Sequence, residues 1–93
     1  MKQIKVRELL THKSKWCQDA YAQTKKGKEV LYTHPKAVRW CLWGAMKKCY
    51  GTGEEFKKIY EKVNSHLHGV ITWNDNPCRK FIEVKKIIDR LDI

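Results

Sequence analysis

Basic and aromatic side chains are interspersed along residues 35–50, a mixture suited to binding nucleic acid. Pro35 near the start and Gly51 after the end predict a helix over this range. At about 100° per residue, one face of that helix carries Lys36, Arg39, Trp40, Trp43, Lys47 and Tyr50. Cationic side chains pair with phosphates, and aromatic rings stack on unpaired bases. Trp40 borders the predicted packing stripe and is expected to be buried, whereas burial and stacking both stay open for Trp43.

A second group of lysines lies at a predicted hairpin turn. Lys25, Lys26 and Lys28 occupy its tip, and Lys13 and Lys15 lie just ahead of the hairpin. A flexible basic loop can follow a phosphate backbone without reading its base sequence, although such a run is often only a solvated loop. The two groups together predict a polyanion-binding surface formed by Lys25, Lys26, Lys28, Lys36, Arg39, Trp43, Lys47 and Tyr50.

Four cysteines and four histidines are the residues that could support metal or thiol chemistry. Cys41 and Cys49 lie about 12 Å apart along a helix, too far for both to bind one zinc ion. His66 and His68 would diverge on a helix, and no Cys-x-x-Cys spacing occurs. A nucleophilic thiol needs a helix N-terminus or a neighbouring cation, and the predicted helix places Cys41 well beyond its first turn. We therefore predict no catalytic residue, metal or cofactor, and reduced cysteines that mainly pack in the core.

The net charge of +10 comes from 20 basic and 10 acidic residues and is concentrated in the first half of the chain. Residues 1–50 carry 12 basic and 3 acidic side chains, whereas residues 51–93 carry 8 and 7. Such an excess attracts nucleic acid first and acidic protein surfaces next, and it exceeds the ~2–8 charges that solubility requires. No apolar run is long enough to span a membrane, and no signal peptide precedes Cys17. A cytoplasmic protein without a membrane partner is expected.

The elements that position these groups follow from periodicity and turn residues. Residues 3–12 predict an amphipathic helix, and residues 16–23 and 29–32 predict the two strands of a β-hairpin. After the central helix we expect a helix from a capping box at 52–55 to Gly69, an extended run over 70–73, and a last helix capped by 74–77 and ending near Leu91. The prediction is one α+β domain over residues 1–93, mostly helical, with three to four helices and a short β-hairpin.

Apolar stripes identify the faces on which the predicted helices pack. The stripe of the central helix is Val38, Cys41, Leu42, Ala45 and Cys49. The stripe of the next helix is Phe56, Ile59, Tyr60, Val63 and Leu67, and that of the last helix is Phe81, Val84, Ile87, Ile88 and Leu91. Asp75 is interpreted as part of the cap of the last helix rather than as an acid or a cation ligand.

Three short motifs occur in order along the chain. Residues 16–22 read Trp-x-Gln-x-Ala-Tyr-Ala, residues 37–45 read Ala-Val-x-x-Cys-x-x-Gly-Ala, and residues 73–75 read Trp-Asn-Asp. Together they resemble an uncharacterised family of short bacterial and bacteriophage proteins, a domain of unknown function. The resemblance implies a single cytoplasmic domain associated with phages or mobile elements, without an assigned activity. Asp19 stands where a glycine is expected, which leaves the detailed geometry of the hairpin open.

These observations predict a small, non-enzymatic, phage-type binding protein whose basic surface engages nucleic acid or a nucleic-acid-handling complex of the host. One alternative is a protein inhibitor of a host defence nuclease, comparable to an anti-CRISPR protein. The other is a small thiol enzyme that uses Cys41.

Overall fold

The computed structural model describes residues 4–93, in which five α-helices accompany one three-stranded antiparallel sheet. The helices are α1 (Val6–Leu9), α2 (Leu42–Tyr50), α3 (Glu54–Leu67), α4 (Val70–Asn74) and α5 (Phe81–Leu91). The strands are β1 (Ala22–Gln23), β2 (Glu29–Val30) and β3 (Arg39–Trp40), and a 3₁₀ turn covers Lys13–Lys15. The predicted α+β class is confirmed, with one helix more than the three to four expected.

The sheet has the strand order β2-β1-β3, so the first strand in sequence lies in the centre. Ala22 pairs with Val30 on one side and with Trp40 on the other. The predicted hairpin is therefore confirmed, but its strands are two residues long. Asp19 interrupts the predicted strand over 16–23, because its φ of 63° lies in the left-handed region. Glycine adopts this region without a steric penalty, and aspartate tolerates it better than most other residues. Both residue types therefore suit this position.

The central helix begins at Leu42, and the prediction that it begins near Pro35 is wrong. Residues 39–40 form β3 instead, because backbone hydrogen bonds join this segment to neighbours on both sides. The amide of Val38 donates to the carbonyl of Gln23 at 2.9 Å, and the amide of Cys17 donates to that of Trp40 at 3.2 Å. Val38, predicted to be core, is consequently 42% exposed. The predicted end at Gly51 is confirmed.

Three predictions in the second half of the chain are also wrong. Residues 70–73 belong to helix α4 rather than to an extended run. Helix α3 begins after Gly53 without a side-chain cap, so the Thr-x-x-Glu sequence forms no capping box. The last helix begins at Phe81, where the Glu83 carboxylate accepts from the amide of Lys80 at 2.9 Å. Residues 74–77 do not cap it, because the side chain of Asn74 is used in the core.

The first helix is shorter than predicted, and it is held by the end of the chain. Of the range 3–12, residue 3 lies outside the described residues and only Val6–Leu9 is α-helical. The amide of Arg7 donates to the carbonyl of Ile93 at 3.0 Å, and Lys5 and Arg7 both form ion pairs with Asp92. These cations lower the pKa of the Asp92 carboxyl, with the hydrogen bond from Lys5 as the main cause.

One hydrophobic core joins all five helices. Its centre is α2, where Leu42, Ala45 and Met46 are fully buried. The other elements contribute Val6, Leu10, Ala22, Trp40, Val63, Val70, Val84, Ile88, Leu91 and Ile93. The apolar stripes predicted for α3 and α5 all lie in this core or against it. The radius of gyration is 12.1 Å, as expected for a compact chain of this length.

Candidate functional site

The hairpin loop and the turn that follows β2 together line an open cleft of about 640 Å³. We call it the lysine cleft, and its lining residues are Thr24, Lys25, Lys26, Lys28, Val30, His34, Lys36 and Val38. Four of the eight side chains that the sequence predicted for polyanion binding are thus brought together. The aliphatic side chains of Val30 and Val38 form its apolar part.

The loop side of the lysine cleft is fixed by a tight turn around Thr24. The Thr24 amide donates to the carbonyl of Lys28, and the Gly27 amide donates to that of Thr24, both at 2.9 Å. The Thr24 hydroxyl also accepts from the amide of Lys28 at 3.2 Å. Gly27 has a φ of 84°, a conformation that glycine adopts without a steric penalty. The turn therefore holds consecutive lysines at one end of the hairpin.

The opposite side is fixed by a turn at His34. Its amide donates to the carbonyl of Leu31, and its own carbonyl accepts from Ala37, both at 3.0 Å. The imidazole Nδ1 accepts from the amide of Lys36 at 3.0 Å. Since Nδ1 acts as an acceptor, the neutral ring carries its hydrogen on Nε2, where it can donate. This turn brings Lys36 to the hairpin loop, whereas the sequence prediction placed Lys36 on a helix.

The lysine cleft is strongly positive and contains no internal counter-charge. None of its eight lining residues is acidic. Side chains alternate along a strand, so Glu29 lies on the opposite face of the sheet from Lys28 and Val30. The four ion pairs found within residues 4–93 involve other lysines and arginines. The ammonium groups of the cleft are therefore available to an external anion.

Arg39 supports the lysine cleft without lining it. Its guanidinium donates to the carbonyl of Thr24 at 3.0 Å, and the residue is half-buried in β3. This hydrogen bond ties the third strand to the start of the lysine loop. Arg39 therefore acts mainly by holding the loop in place.

The other three predicted site residues lie on α2, and none of them lines the lysine cleft. The ring of Trp43 packs 4.7 Å from that of Tyr21 and 6.0 Å from that of Phe56, measured between centroids. The ammonium group of Lys47 lies 3.9 Å from the centroid of the Phe56 ring. Tyr50 is half-buried, and burial raises the pKa of its phenol. Trp43 thus lies in a packed aromatic cluster with Tyr21 and Phe56, and the ammonium group of Lys47 lies against the Phe56 ring of that cluster.

Trp40 is buried in β3, as expected, although it reaches the core from a strand rather than from a helix. Its indole nitrogen donates to the carbonyl of Tyr32 at 3.0 Å. The Trp40 side chain is 7% exposed. The single basic and aromatic face predicted for residues 35–50 does not exist, because Lys36, Arg39 and Trp40 all precede the helix.

A second cavity, of about 410 Å³, has the opposite charge. It is lined by Asp19, Ala20, Tyr21, Glu29, Cys41, Ile71 and Asp75. The Asp75 carboxylate accepts from the amide of Asp19 at 3.0 Å, so it orders this loop and does not cap the last helix. Among the described residues, no group of three or more His, Cys, Asp and Glu side chains is placed to hold a metal ion.

Of the four cysteines, Cys17, Cys41 and Cys49 are buried and Cys78 is exposed. The structure corrects the position of Cys41, which is the N-cap of α2, and its sulfur accepts from the amide of Gly44 at 3.2 Å. Burial nevertheless raises the pKa of Cys41 to about 11 and those of Cys17 and Cys49 to about 12. At neutral pH these three thiols are protonated and poorly accessible, a state unsuited to nucleophilic attack.

We expect one of the four thiols to react rapidly with a disulfide reagent at neutral pH in the folded protein. Cys78 is exposed, whereas the other three are buried and protonated. Thiol titration with and without denaturant measures this directly, and Cys78→Ser should abolish the rapid phase. Rapid labelling of Cys41 in that variant would contradict the assignment and revive the thiol-enzyme alternative.

Asn74 is a buried residue that the sequence analysis assigned to a cap. Its Oδ1 accepts from the indole of Trp16 at 2.7 Å and from the amide of Leu42 at 2.9 Å. Its Nδ2 donates to the carbonyl of Cys17 at 3.2 Å and to the Asp75 carboxylate at 2.9 Å. The three sequence motifs meet at this amide, which joins the start of α2 to the segment that leads into β1.

His34, Thr24 and the two valines of the cleft were missed as site residues. Two usable signals were present. A residue that precedes proline, here His34, favours an extended or turn conformation. The alternation of Val38, Arg39 and Trp40 is also typical of a strand. These signals favour a turn and a strand before the helix, which is the arrangement that creates the lysine cleft.

The architecture and the cleft define a small α+β domain with a basic cleft. The chain belongs to a family of unknown function, DUF6197, whose model matches residues 4–91. This agrees with the resemblance to an uncharacterised family. Neither the curated proteins nor the solved structures contain a significant match. Within residues 4–93, no helix has the length and apolar character needed to cross a membrane.

Proposed function

We propose that this chain is a non-enzymatic binding protein whose lysine cleft engages the phosphate groups of nucleic acid. The observation that carries the proposal is the convergence of Lys25, Lys26, Lys28 and Lys36 on one cleft whose lining contains no acidic residue. Lysine ammonium groups pair with phosphates and release counterions, which stabilises the complex at low salt. A cytoplasmic, phage-associated setting belongs to the proposal and is supported by the resemblance alone.

The proposed contacts are electrostatic, with little base stacking. The lining of the lysine cleft contains no phenylalanine, tyrosine or tryptophan, and Trp43 is packed against Tyr21 and Phe56. Phosphate contacts fix position but carry no sequence information. The proposal therefore assigns the four cleft lysines to direct contact and Arg39 to positioning of the loop. It predicts weak dependence on base sequence and strong dependence on salt.

The two alternatives have less support. A thiol enzyme requires a reactive Cys41, whereas that thiol is 3% exposed and its pKa is raised to about 11. An inhibitor that binds a host nuclease through a protein–protein interface does not need a concave site. The lysine cleft suits a ligand group that enters it.

We expect the quadruple variant of the four cleft lysines to glutamine to bind a short duplex about 100-fold more weakly at low salt. The slope of log affinity against log salt should fall by about 3.6, since each of the four lost phosphate contacts removes about 0.9. Fluorescence anisotropy of a labelled duplex over a series of salt concentrations measures both quantities.

The matched control replaces four exposed lysines outside the cleft by glutamine, namely Lys48, Lys57, Lys58 and Lys86. It carries the same net charge as the cleft variant, so equal loss in both would show that binding depends on net charge alone. Unchanged affinity in the cleft variant would overturn the proposed site.

A further inference from the structure

The lysine cleft is concave, and its shape restricts the kind of anion that fits it. Its volume of about 640 Å³ lies within the ~300–1,000 Å³ typical of small-ligand pockets. Lys25, Lys26 and Lys28 approach from the hairpin loop, whereas Lys36 approaches from the turn after β2. The lysines that line the cleft therefore come from two separate backbone segments, which lie on different sides of it.

This arrangement suits a compact multiple anion better than an extended one. A duplex spreads its charge along the helix axis, so only part of it can enter one cleft. A di- or triphosphate group carries several charges on adjacent phosphorus atoms and can pair with several lysines at once. His34 also lines the cleft, and because its Nδ1 accepts from the amide of Lys36, Nε2–H is the ring group left to donate to a ligand.

The apolar part of the lysine cleft indicates that the ligand carries an organic group in addition to its phosphates. Val30 is half-buried, and Val38 is 42% exposed although both are aliphatic. An organic group that covers these side chains would remove apolar surface from water, which inorganic phosphate cannot do. A nucleoside provides such a group through its base and sugar. Because Val30 and Val38 would contact the base without hydrogen bonds to it, we expect little discrimination between bases.

We propose that the lysine cleft binds a nucleoside 5′-polyphosphate, either as a free nucleotide or as the phosphorylated 5′ end of a nucleic acid. The inference uses the same cleft as the proposed function and rests on it for the choice of site. The ligand class is narrower than that of the proposed function, since the cleft recognises a terminal polyphosphate group rather than the phosphate backbone of nucleic acid.

The test compares one labelled single-stranded RNA carrying a 5′-triphosphate, a 5′-monophosphate or a 5′-hydroxyl group. We expect the triphosphate form to bind about tenfold more tightly than the hydroxyl form, because it adds contacts to several lysines. A second arm titrates adenosine 5′-triphosphate and adenosine by calorimetry and separates the free nucleotide from the RNA end. Inorganic tripolyphosphate should compete, but more weakly than adenosine 5′-triphosphate.

Two variants test whether the ligand binds in the lysine cleft. Lys28→Gln with Lys36→Gln removes one cation from each side, and Val38→Glu puts a carboxylate on the exposed apolar part. Both should abolish the preference for the triphosphate end. Lys57→Gln with Lys58→Gln is the matched control on α3 and should retain it. Circular dichroism establishes that each variant is folded.

The outcomes separate this inference from the proposed function. Equal affinity for all three RNA ends, with no binding of adenosine 5′-triphosphate, would overturn the inference and leave backbone binding in place. Binding of adenosine 5′-triphosphate without binding of any RNA would support the inference and overturn the proposed function. A preference for the triphosphate end that survives in both cleft variants would also overturn the inference.

Discussion

Replacing Asn74 with alanine is expected to lower the free energy of unfolding by about 3–5 kcal/mol. The Asn74 side chain is fully buried and makes hydrogen bonds to Trp16, Cys17, Leu42 and Asp75. Alanine removes the partner of two buried donors and one buried carbonyl. Each unsatisfied group of this kind costs about 1–3 kcal/mol. The loss is therefore large for a domain whose whole stability is about 5–15 kcal/mol.

The matched control is Asn76→Ala, the same substitution two residues further along. Asn76 is exposed, and the one hydrogen bond found for its side chain within residues 4–93 comes from the amide of Cys78 at 2.9 Å. Its loss should cost less than about 1 kcal/mol. Urea unfolding followed by circular dichroism compares the two variants. A change at Asn74 no larger than the change at Asn76 would show that the network contributes little.

The consequence for the candidate site follows from what Asn74 joins. Trp16 and Cys17 lead into β1, and Leu42 follows β3, so one amide fixes the base of both strands. The lysine cleft lies at the other end of these strands. Its geometry thus depends on a buried residue that does not line it.

Local signals predicted much of this fold correctly. The turn at Gly27, the end of α2 at Gly51 and the apolar stripes of α3 and α5 depend on residues close together in sequence. A positive φ, a helix stop and a 3.6-residue periodicity are properties of a short segment. Each of them can be read without knowing what the segment touches.

Local signals left the start of the central helix undecided. Pro35 is suitable for a first helical turn, and the apolar residues after it fit both a helix and a strand. A distant segment stabilises the strand, since the carbonyl of Tyr21 accepts from the amide of Cys41 and the carbonyl of Gln23 accepts from the amide of Val38. Non-local pairing of this kind overrides local propensity.

Asn74 illustrates the same limit for a single side chain. Asn-Asp-Asn-Pro is typical of a turn or a cap, and that interpretation uses only local partners. The actual partners, Trp16 and Leu42, lie 58 and 32 residues away in sequence. Nothing in the spacing of these residues identifies them as neighbours.

The sequence anticipated only part of the way in which the predicted site residues are brought together. Lys25, Lys26 and Lys28 share one turn, so their proximity follows from the sequence. Lys36 joins them through a turn at His34 rather than through the helix face on which it was placed. Lys47 was assigned to the same surface, but helix α2 starts after β3 and points this lysine toward Phe56.

Replacing Gly44 with alanine is expected to destabilise the fold by about 2–4 kcal/mol, although alanine favours helices by about 1 kcal/mol over glycine. A Cβ at this position would lie far inside van der Waals contact with the carbonyl oxygen of Tyr21 and 3.0 Å from its carbon. That carbonyl also accepts from the amide of Cys41 at 3.2 Å, so it cannot move away without losing a hydrogen bond. Steric overlap with fixed backbone exceeds the gain in propensity.

Gly53→Ala provides the comparison, because a Cβ there would meet no atom within 4 Å. Gly53 is the N-cap of α3, where alanine costs about 1 kcal/mol or less relative to glycine. Urea unfolding of both variants should therefore show a clearly larger loss at Gly44. The damage should also reach the lysine cleft, since β1 begins directly after Tyr21 and carries the hairpin loop. If Gly44→Ala matched or exceeded the wild-type stability, α2 would not pack as closely on Tyr21 as the structure places it.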